Sequence, residues 1–310
     1  MIHKEELLKR SLDGTYYLDM QKDRNGKIVN LRKYGVMIDV DKYNLLSHCS
    51  CIWTMKDILE FQNFSITNSI KRASEYIQDN FIREPNRYFL LDDNFIKLGG
   101  QALAMLALGK RYPQDVELLK NGLLSFITVE KGSIVLNDMW DSKNSKFVNI
   151  NSKFYPGEAS LALAKFFDYE KSFLIVAYLK SKNILTHDYW LLQSMAELVQ
   201  IGNEEFNGII VPYADLIAKK IMREKYKYWG KPTEKACRAE GLISYYRIVA
   251  YLINNYAKLD ETKIFINELI EEQIKYQDKN GGFHDENGLS KIDDTQHNIS
   301  SFLKYIKYIK

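Results

Sequence analysis

Two kinds of helix-forming segment alternate along this 310-residue sequence. In the first kind, seen at residues 70–82, 214–226 and 264–276, apolar residues recur at helical spacing with charged residues opposite, which predicts helices with one buried face. In the second kind, seen at residues 99–109 and 156–167, nearly every position is apolar or small, which predicts helices buried on both sides. The chain holds only 5 prolines and 16 glycines, which leaves little room for a turn-dense all-β fold.

The spacing of the second kind of segment predicts a closed arrangement. Successive starts are mostly about 50 residues apart, which is room for one buried helix, one half-buried helix and two loops. The first segment, residues 3–12, can act as the outer partner of the last, residues 300–309, so that no apolar end is left exposed. The predicted starts lie near residues 44, 99, 156, 187, 238 and 294.

Two stretches alternate polar and apolar residues as short strands do. They are residues 14–30, around Asn25 and Gly26, and residues 132–150. Asn-Gly is a favoured two-residue turn between antiparallel strands. We therefore expect β-hairpin flaps at both stretches.

Charge and composition exclude several classes of partner. A net charge of +3 with no long basic run argues against nucleic acid. No apolar run reaches the roughly 18 residues of a membrane span, and the acidic N-terminal stretch lacks the core of a signal peptide, so we expect a cytoplasmic protein. Cys49, Cys51 and Cys237 are odd in number, so reduced thiols are expected.

The alternating segments, their glycine-led starts and the phrase NGGFHD at residues 280–285 resemble the (α/α)6 toroids. That group includes unsaturated glucuronyl hydrolases, N-acylglucosamine 2-epimerase relatives and uronyl C5-epimerases. The resemblance spans residues 1–310 and rests on architecture and short phrases, with no diagnostic motif of one family. It implies a single all-α toroid domain of alternating inner and outer helices, with a ligand cleft where the inner helices begin.

The predicted starts of the inner helices are rich in groups that bind and transform sugars. Aromatic rings stack on sugar faces, while carboxylates, amides and Arg bind hydroxyl groups. Carboxyl groups that share a cleft can also divide acid and base roles, so we predict Glu158, Glu240 and Asp294 as catalytic residues. The predicted substrate-binding residues are Tyr155, Asp188, Tyr189, Trp190, Arg238, His297, His48, Trp140 and Gln101.

Neighbouring residues refine these roles, and each has a structural alternative. Gly157 is expected to leave room beside Glu158, and Arg238 is expected to keep Glu240 ionised. Glu158 and Asp294 could instead serve only as helix caps, and His297 could be a buried structural histidine.

The sequence therefore predicts a carbohydrate-active enzyme, glycoside hydrolase-like, acting on an acidic or bacterial cell-surface saccharide without cofactor or metal ion. A sugar epimerase or lyase on the same fold is an alternative, and a non-catalytic toroid that binds a glycan or a protein is another. A third is a zinc enzyme resembling the lanthionine cyclases, with Cys237, His297 and Asp294 as ligands.

Overall fold

The computed structural model describes most of the chain. The described residues are 2–28, 31–33, 36–37, 44–62, 65–130, 133–185, 189–224, 232–253, 255–285 and 287–309. Within them, no helix is both long enough and apolar enough to cross a bilayer.

Helices dominate the described part of the chain. They are α1 (Lys4–Met20), α2 (Leu45–Asp57), α3 (Thr67–Asp79), α4 (Leu98–Leu108), α5 (Pro113–Leu124), α6 (Tyr155–Lys165), α7 (Tyr169–Ser181), α8 (Tyr189–Leu198), α9 (Glu204–Arg223), α10 (Pro232–Ile248), α11 (Tyr256–Ile274) and α12 (Ile292–Tyr308). Short strands connect some of them. They are β1 (Leu31–Lys33), β2 (Val36–Met37), β3 (Phe81–Glu84), β4 (Arg87–Asp92), β5 (Phe95–Lys97), β6 (Ile127–Glu130), β7 (Ser133–Leu136), β8 (Met139–Asp141), β9 (Lys146–Val148) and β10 (Leu289–Lys291).

The alternation of two helix kinds is present in the structure. The even-numbered helices are buried along most of their length, and in α4 every residue is buried. The odd-numbered helices bury one face and expose the other. Five of the six predicted starts fall within two residues of the first residue of an even-numbered helix. The sixth, near residue 238, is wrong by about two turns, because α10 already begins at Pro232.

The chain forms two compact units by its internal contacts. One comprises residues 1–76 and 221–310, and the other comprises residues 77–220. In the first unit α12 packs against α10, α2 and α1, and α11 packs on α10. In the second unit α6 packs between α4 and α8, with α5 on α4 and α7 on α6. Each unit therefore has a layer of buried helices backed by half-exposed ones.

Antiparallel strands lie beside the starts of two buried helices. In the first unit, β10 pairs with β1 and leads directly into α12. In the second unit, the strands β3, β4, β5, β8 and β9 form one sheet whose third strand leads into α4, and β6 pairs with β7. Hairpins therefore occupy most of the stretch 132–150, as β7 and as the β8–β9 pair. Their role as flaps stays a prediction.

The hairpin predicted at residues 14–30 is wrong over its first part, because α1 continues to Met20. What remains is a tight turn at residues 23–26, closed by one bridge between Lys22 and Ile28. The turn needs its glycine: Gly26 has φ +92°, and a Cβ there would overlap the Arg72 carbonyl of α3. Strand-like alternation failed here because it was read across a helix end.

Candidate functional site

Two buried helices of the first unit bring Glu240 and His297 together. Glu240 lies in the third turn of α10 and His297 in the second turn of α12, and both side chains are buried. The His297 Nδ1 donates to Glu240 Oε2 at 2.9 Å. Arg238 and Glu240 therefore lie within α10 and not at its beginning, as the sequence predicted, yet Glu240 still meets a residue of the α12 start.

The Glu240 carboxylate is fully engaged. Oε2 accepts from His297. Oε1 accepts a hydrogen bond from Ser300 Oγ at 2.5 Å and forms an ion pair with Lys304 Nζ at 2.8 Å. Although burial works to raise it, the Lys304 ammonium and His297 hold the pKa of Glu240 at about 2. Glu240 is therefore a permanent anion whose oxygens are occupied, which suits it to orient His297.

The cation beside Glu240 is Lys304, and not Arg238 as predicted. Arg238 donates from Nη1 to the backbone carbonyl of Glu224 at 2.7 Å. Sequence reasoning missed Lys304 and Ser300, although a signal existed. Ser300 and Lys304 stand three and seven residues after His297 on α12, which places all three side chains on one face of the helix.

His297 is held as a cation by its surroundings. Burial lowers its pKa, but the Cys237 sulfur and the Glu240 carboxylate raise the pKa of His297 well above its ordinary value. The Nε2 atom lies 3.9 Å from Asp293 Oδ1. The imidazole can therefore carry a proton at neutral pH in a site from which most water is excluded.

Asp294 lies in the first turn of α12, and its pKa is shifted in the opposite direction from that of Glu240. Its side chain is 7% exposed and accepts a hydrogen bond from Thr233 Oγ1. Burial, reinforced by the negative charge of Asp293, raises the pKa of Asp294 to about 7. Two carboxyl groups on packed helices thus have pKa values pushed apart, which is the usual mark of divided acid and base roles.

Three donor atoms of the cluster could reach one metal ion. The ligand atoms of Cys237, Glu240 and His297 lie within 4.8 Å of one another. However, both Glu240 oxygens already accept hydrogen bonds, and one faces the Lys304 ammonium. A cation at this point would oppose Lys304, so the cluster fits a proton-linked hydrogen-bond network better than a metal site. The zinc set suggested by the sequence, with Asp294 as a ligand, differs from this group.

His48 is fully buried and bound to backbone groups, and its substrate-binding role stays a prediction. The imidazole is fully buried: Nδ1 accepts from the Ile28 backbone N–H at 3.1 Å, and Nε2 donates to the Ala73 carbonyl at 3.0 Å. Burial lowers the pKa of His48 to about 4, so the ring stays neutral. His48 ties α2 to α3 and to the 23–28 turn.

In the second unit, α4 and α6 place Gly99 against Glu158 and Tyr155. A Cβ at Gly99 would overlap Glu158 Oε2 and would lie 2.5 Å from Tyr155 Cδ1. The space that the sequence assigned to Gly157 is therefore provided by a glycine of the neighbouring helix. Glu158 is 6% exposed in the first turn of α6, where the helix dipole favours a carboxylate.

Acidic groups surround Tyr155 in this unit. Burial and the charges of Glu158, Asp138 and Asp92 raise the pKa of Tyr155 to about 12, so its hydroxyl stays protonated. Asp138 follows β7, and its Oδ2 accepts from the backbone N–H groups of Ile150 and Ser152 at 2.9 and 3.1 Å. Asp138 therefore fixes the loop that leads into α6.

The predicted aromatic rings differ in accessibility. Tyr189 and Trp190 are 7% and 3% exposed and pack on each other with centroids 4.9 Å apart. Trp140 of β8 is half-buried and lies edge-on to Phe147. Phe154, which is not among the predicted residues, is 47% exposed beside Tyr189. Of these five rings, Trp140, Phe147 and Phe154 are thus the more accessible.

Two further predicted residues have different outcomes. Gln101 is fully buried on α4; its Nε2 reaches the Leu90 carbonyl at 3.5 Å, and its Oε1 has no hydrogen-bond partner among the described residues. Asp188 lies outside the described residues.

A groove of about 760 Å³ opens in the second unit between β7, the loop before α6, and α7. Its lining includes Asp138 and Pro156 but none of the predicted catalytic residues. Three predicted site residues with shifted pKa values, Glu240, His297 and Asp294, lie instead on α10 and α12 of the first unit.

Comparison with known proteins shows the fold. No family model and no curated protein matches the sequence. A D-mannose isomerase structure is similar over 98% of this chain and 97% of its own, with a TM-score of 0.69 and 13% identity. The GH76A alpha-1,6-mannanase from Salegentibacter sp. HEL1_6 is similar over 99% of this chain and 100% of its own, with a TM-score of 0.69 and 11% identity.

A third similar structure has a different chemistry. The type II terpene cyclase MstE from Scytonema is similar over 99% of this chain and 100% of its own, with a TM-score of 0.62 and 10% identity. The predicted fold class, an all-α (α/α)6 toroid, is therefore confirmed. The similarity extends to the fold alone, because the three named structures belong to an isomerase, a glycosidase and a cyclase.

Proposed function

We propose that this protein is a carbohydrate-active enzyme that moves protons on a saccharide, as in the isomerisation or epimerisation of a sugar beside its carbonyl group. The observation that carries the proposal is the His297–Glu240 pair, joined at 2.9 Å inside the first unit. An imidazole fixed by a buried carboxylate is a common device for general acid–base catalysis.

His297 is the proton-transfer group in this proposal. Glu240 accepts from Nδ1 and so fixes the orientation of the ring, which directs the other ring nitrogen away from the carboxylate. Glu240 itself is a positioning residue, because Ser300, Lys304 and His297 occupy its oxygens. This assigns Glu240 a different task from the direct acid or base role expected from the sequence.

Asp294 is the second proton-transfer group. Proton transfer between neighbouring sugar carbons needs one group that accepts a proton from carbon and one that serves the carbonyl oxygen. With a pKa of about 7, Asp294 changes charge near neutral pH, where it can accept and return a proton. The likeness in fold to a D-mannose isomerase supports a sugar as the substrate.

Glycoside hydrolysis is the second candidate. The raised pKa of Asp294 also suits an acid that protonates a leaving group, and the fold is shared with an alpha-1,6-mannanase. However, hydrolysis needs a second carboxylate that acts on the sugar or on water, and both Glu240 oxygens already accept hydrogen bonds inside the protein. Glu158 of the second unit remains a predicted catalytic residue for this chemistry.

One experiment separates the two reactions. The full chain is incubated in D₂O with a panel of aldohexoses, including mannose, and separately with an alpha-mannan oligosaccharide, and the products are followed by ¹H NMR. Epimerisation replaces the proton on carbon 2 by deuterium, and isomerisation to the ketose places deuterium on carbon 1 of the product. Hydrolysis releases new reducing ends. We expect deuterium incorporation with at least one aldohexose.

Variants assign the residues. His297→Asn should lower the exchange rate by about 100-fold or more, which is the usual contribution of a general acid or base. Glu240→Gln should shift the pH profile, because the charge that holds the imidazole is lost. The matched control is His284→Asn, which changes a half-exposed histidine paired with Asp278 at 3.1 Å and should leave the rate unchanged. New reducing ends without deuterium exchange would establish hydrolysis instead. The absence of both products would refute the proposal.

A further inference from the structure

Cys237 differs from the two other cysteines in its surroundings. Cys49 and Cys51 lie on α2 and are fully buried, and burial raises the pKa of the Cys51 thiol well above its ordinary value. Cys237 lies on α10 and is partly exposed. It stands three residues before Glu240, so the two side chains share one face of the helix.

The surroundings of Cys237 form a chain of three groups. Its sulfur is within hydrogen-bonding reach of the His297 imidazole, and the ligand atoms of Cys237, Glu240 and His297 lie within 4.8 Å of one another. Glu240 fixes the imidazole at 2.9 Å. A nucleophile beside a base that is oriented by a third group is the arrangement that activates a cysteine.

We infer that Cys237 is an activated thiol, held as a thiolate against the His297 imidazolium, and that it is a site of covalent modification by carbon electrophiles. The inference is independent of the saccharide reaction, because it concerns the thiol in the free protein. In the reaction with iodoacetamide, the sulfur forms a bond to the methylene carbon, the carbon–iodine bond breaks, and iodide leaves with the bonding pair. The thiol proton stays on the imidazole.

The Glu240 carboxylate favours the protonated imidazole of the pair. From α12 the facing groups are Asp293, Asp294 and Lys304, and from α10 the facing group is Glu240. The mutual effect of sulfur and imidazole is visible in His297, whose pKa is raised by Cys237 even though burial lowers it. By the same coupling, the imidazolium favours the thiolate form of Cys237.

The expected rate follows from the fraction of thiolate. An ordinary thiol with a pKa of about 8.5 is roughly 0.3% thiolate at pH 6. For a thiol that is mostly thiolate at pH 6, the larger thiolate fraction raises the alkylation rate by up to a few hundredfold. The lower nucleophilicity of a low-pKa thiolate reduces that rate by about an order of magnitude. The net expectation is alkylation about tenfold faster than that of an ordinary thiol at pH 6.

The test measures iodoacetamide alkylation of the folded full chain from pH 5 to 9, with each cysteine followed by peptide mass spectrometry. We expect Cys237 to react at pH 6 with a rate that hardly changes up to pH 8, while Cys49 and Cys51 stay unmodified. The reference rate for an ordinary thiol is that of the same Cys237 peptide in denaturant.

Variants and metal analysis complete the test. His297→Asn should slow the reaction at pH 6 by about tenfold and restore the steep rise towards pH 9. Glu240→Gln should act in the same direction with less change in shape, and His284→Asn should have no effect. A wild-type rate that rises with an ordinary midpoint near pH 8.5, or a Cys237 that reacts only after a chelator removes one equivalent of zinc, would overturn the inference.

Discussion

The charge of Asp294 should make this protein less stable as the pH rises, and the variant Asp294→Asn should remove that effect. The side chain is 7% exposed, and its Oδ1 accepts from Thr233 Oγ1. An asparagine has the same shape and can keep the Thr233 hydrogen bond through its own Oδ1, so the substitution removes mainly the charge.

The sign and size follow from the pKa. Burial raises the pKa of Asp294 from 3.8 to about 7. Below pH 4 the group is protonated in the folded and unfolded states, so it has no net effect. Between pH 4 and 7 the unfolded chain loses this proton while the folded one keeps it, so the free energy of unfolding falls as pH rises. The full penalty, about 4 kcal/mol as an upper estimate, is reached above pH 7.

Urea unfolding followed by far-UV circular dichroism at pH 4.5 and pH 8 measures this. Asp294→Asn should be more stable than the wild type by up to about 4 kcal/mol at pH 8 and by much less at pH 4.5. The control is Asp260→Asn on the exposed face of α11, which should change little at either pH. An advantage of the same size at both pH values would refute the reasoning. If the proposed function is right, the stabilised variant should also lose activity.

Two further substitutions test the packing around the predicted site residues. Gly99→Ala should lower the free energy of unfolding by about 1–3 kcal/mol, because the added methyl group overlaps Glu158. The control is Gly208→Ala in α9, where the added methyl group has no atom within 4 Å. This variant should be more stable by about 0.5–1 kcal/mol in the same urea assay. The neutral, buried His48 should make the wild type lose stability as pH falls from about 6.5 towards 4, by up to about 3 kcal/mol, because only the unfolded chain takes up the proton in that range. His48→Gln should show a flatter pH dependence, and an unchanged slope in that variant would contradict the assignment.

The residues that meet in the first unit were only partly predictable. The residue types at the predicted helix starts singled out Asp294 and His297, which lie in the first two turns of α12, and also Glu240, although its helix begins earlier than expected. The partner of Glu240 was assigned to Arg238, two residues along, because sequence favours neighbours in the chain. In the folded protein the cation comes from Lys304, on a different helix.

His48 and Gly99 also make contacts with other elements that the sequence did not predict. A histidine near a helix start looks like a ligand-binding residue, yet its two ring nitrogens bind backbone groups of the 23–28 turn and of α3. A glycine beside Glu158 in the chain looked like the source of space, yet Gly99 of the adjacent helix is the residue that faces it.

The sequence by itself determined the alternation of buried and half-buried helices and the all-α toroid fold, because helical periodicity and apolar content are local properties that each segment carries alone. The tertiary structure decided which side chains on different helices meet. That depends on the rotation and the axial offset of one helix against the next, which are set by packing over the whole interface and leave no local pattern in either segment. The Glu240–His297–Lys304 network exists only at the offset that α10 and α12 adopt.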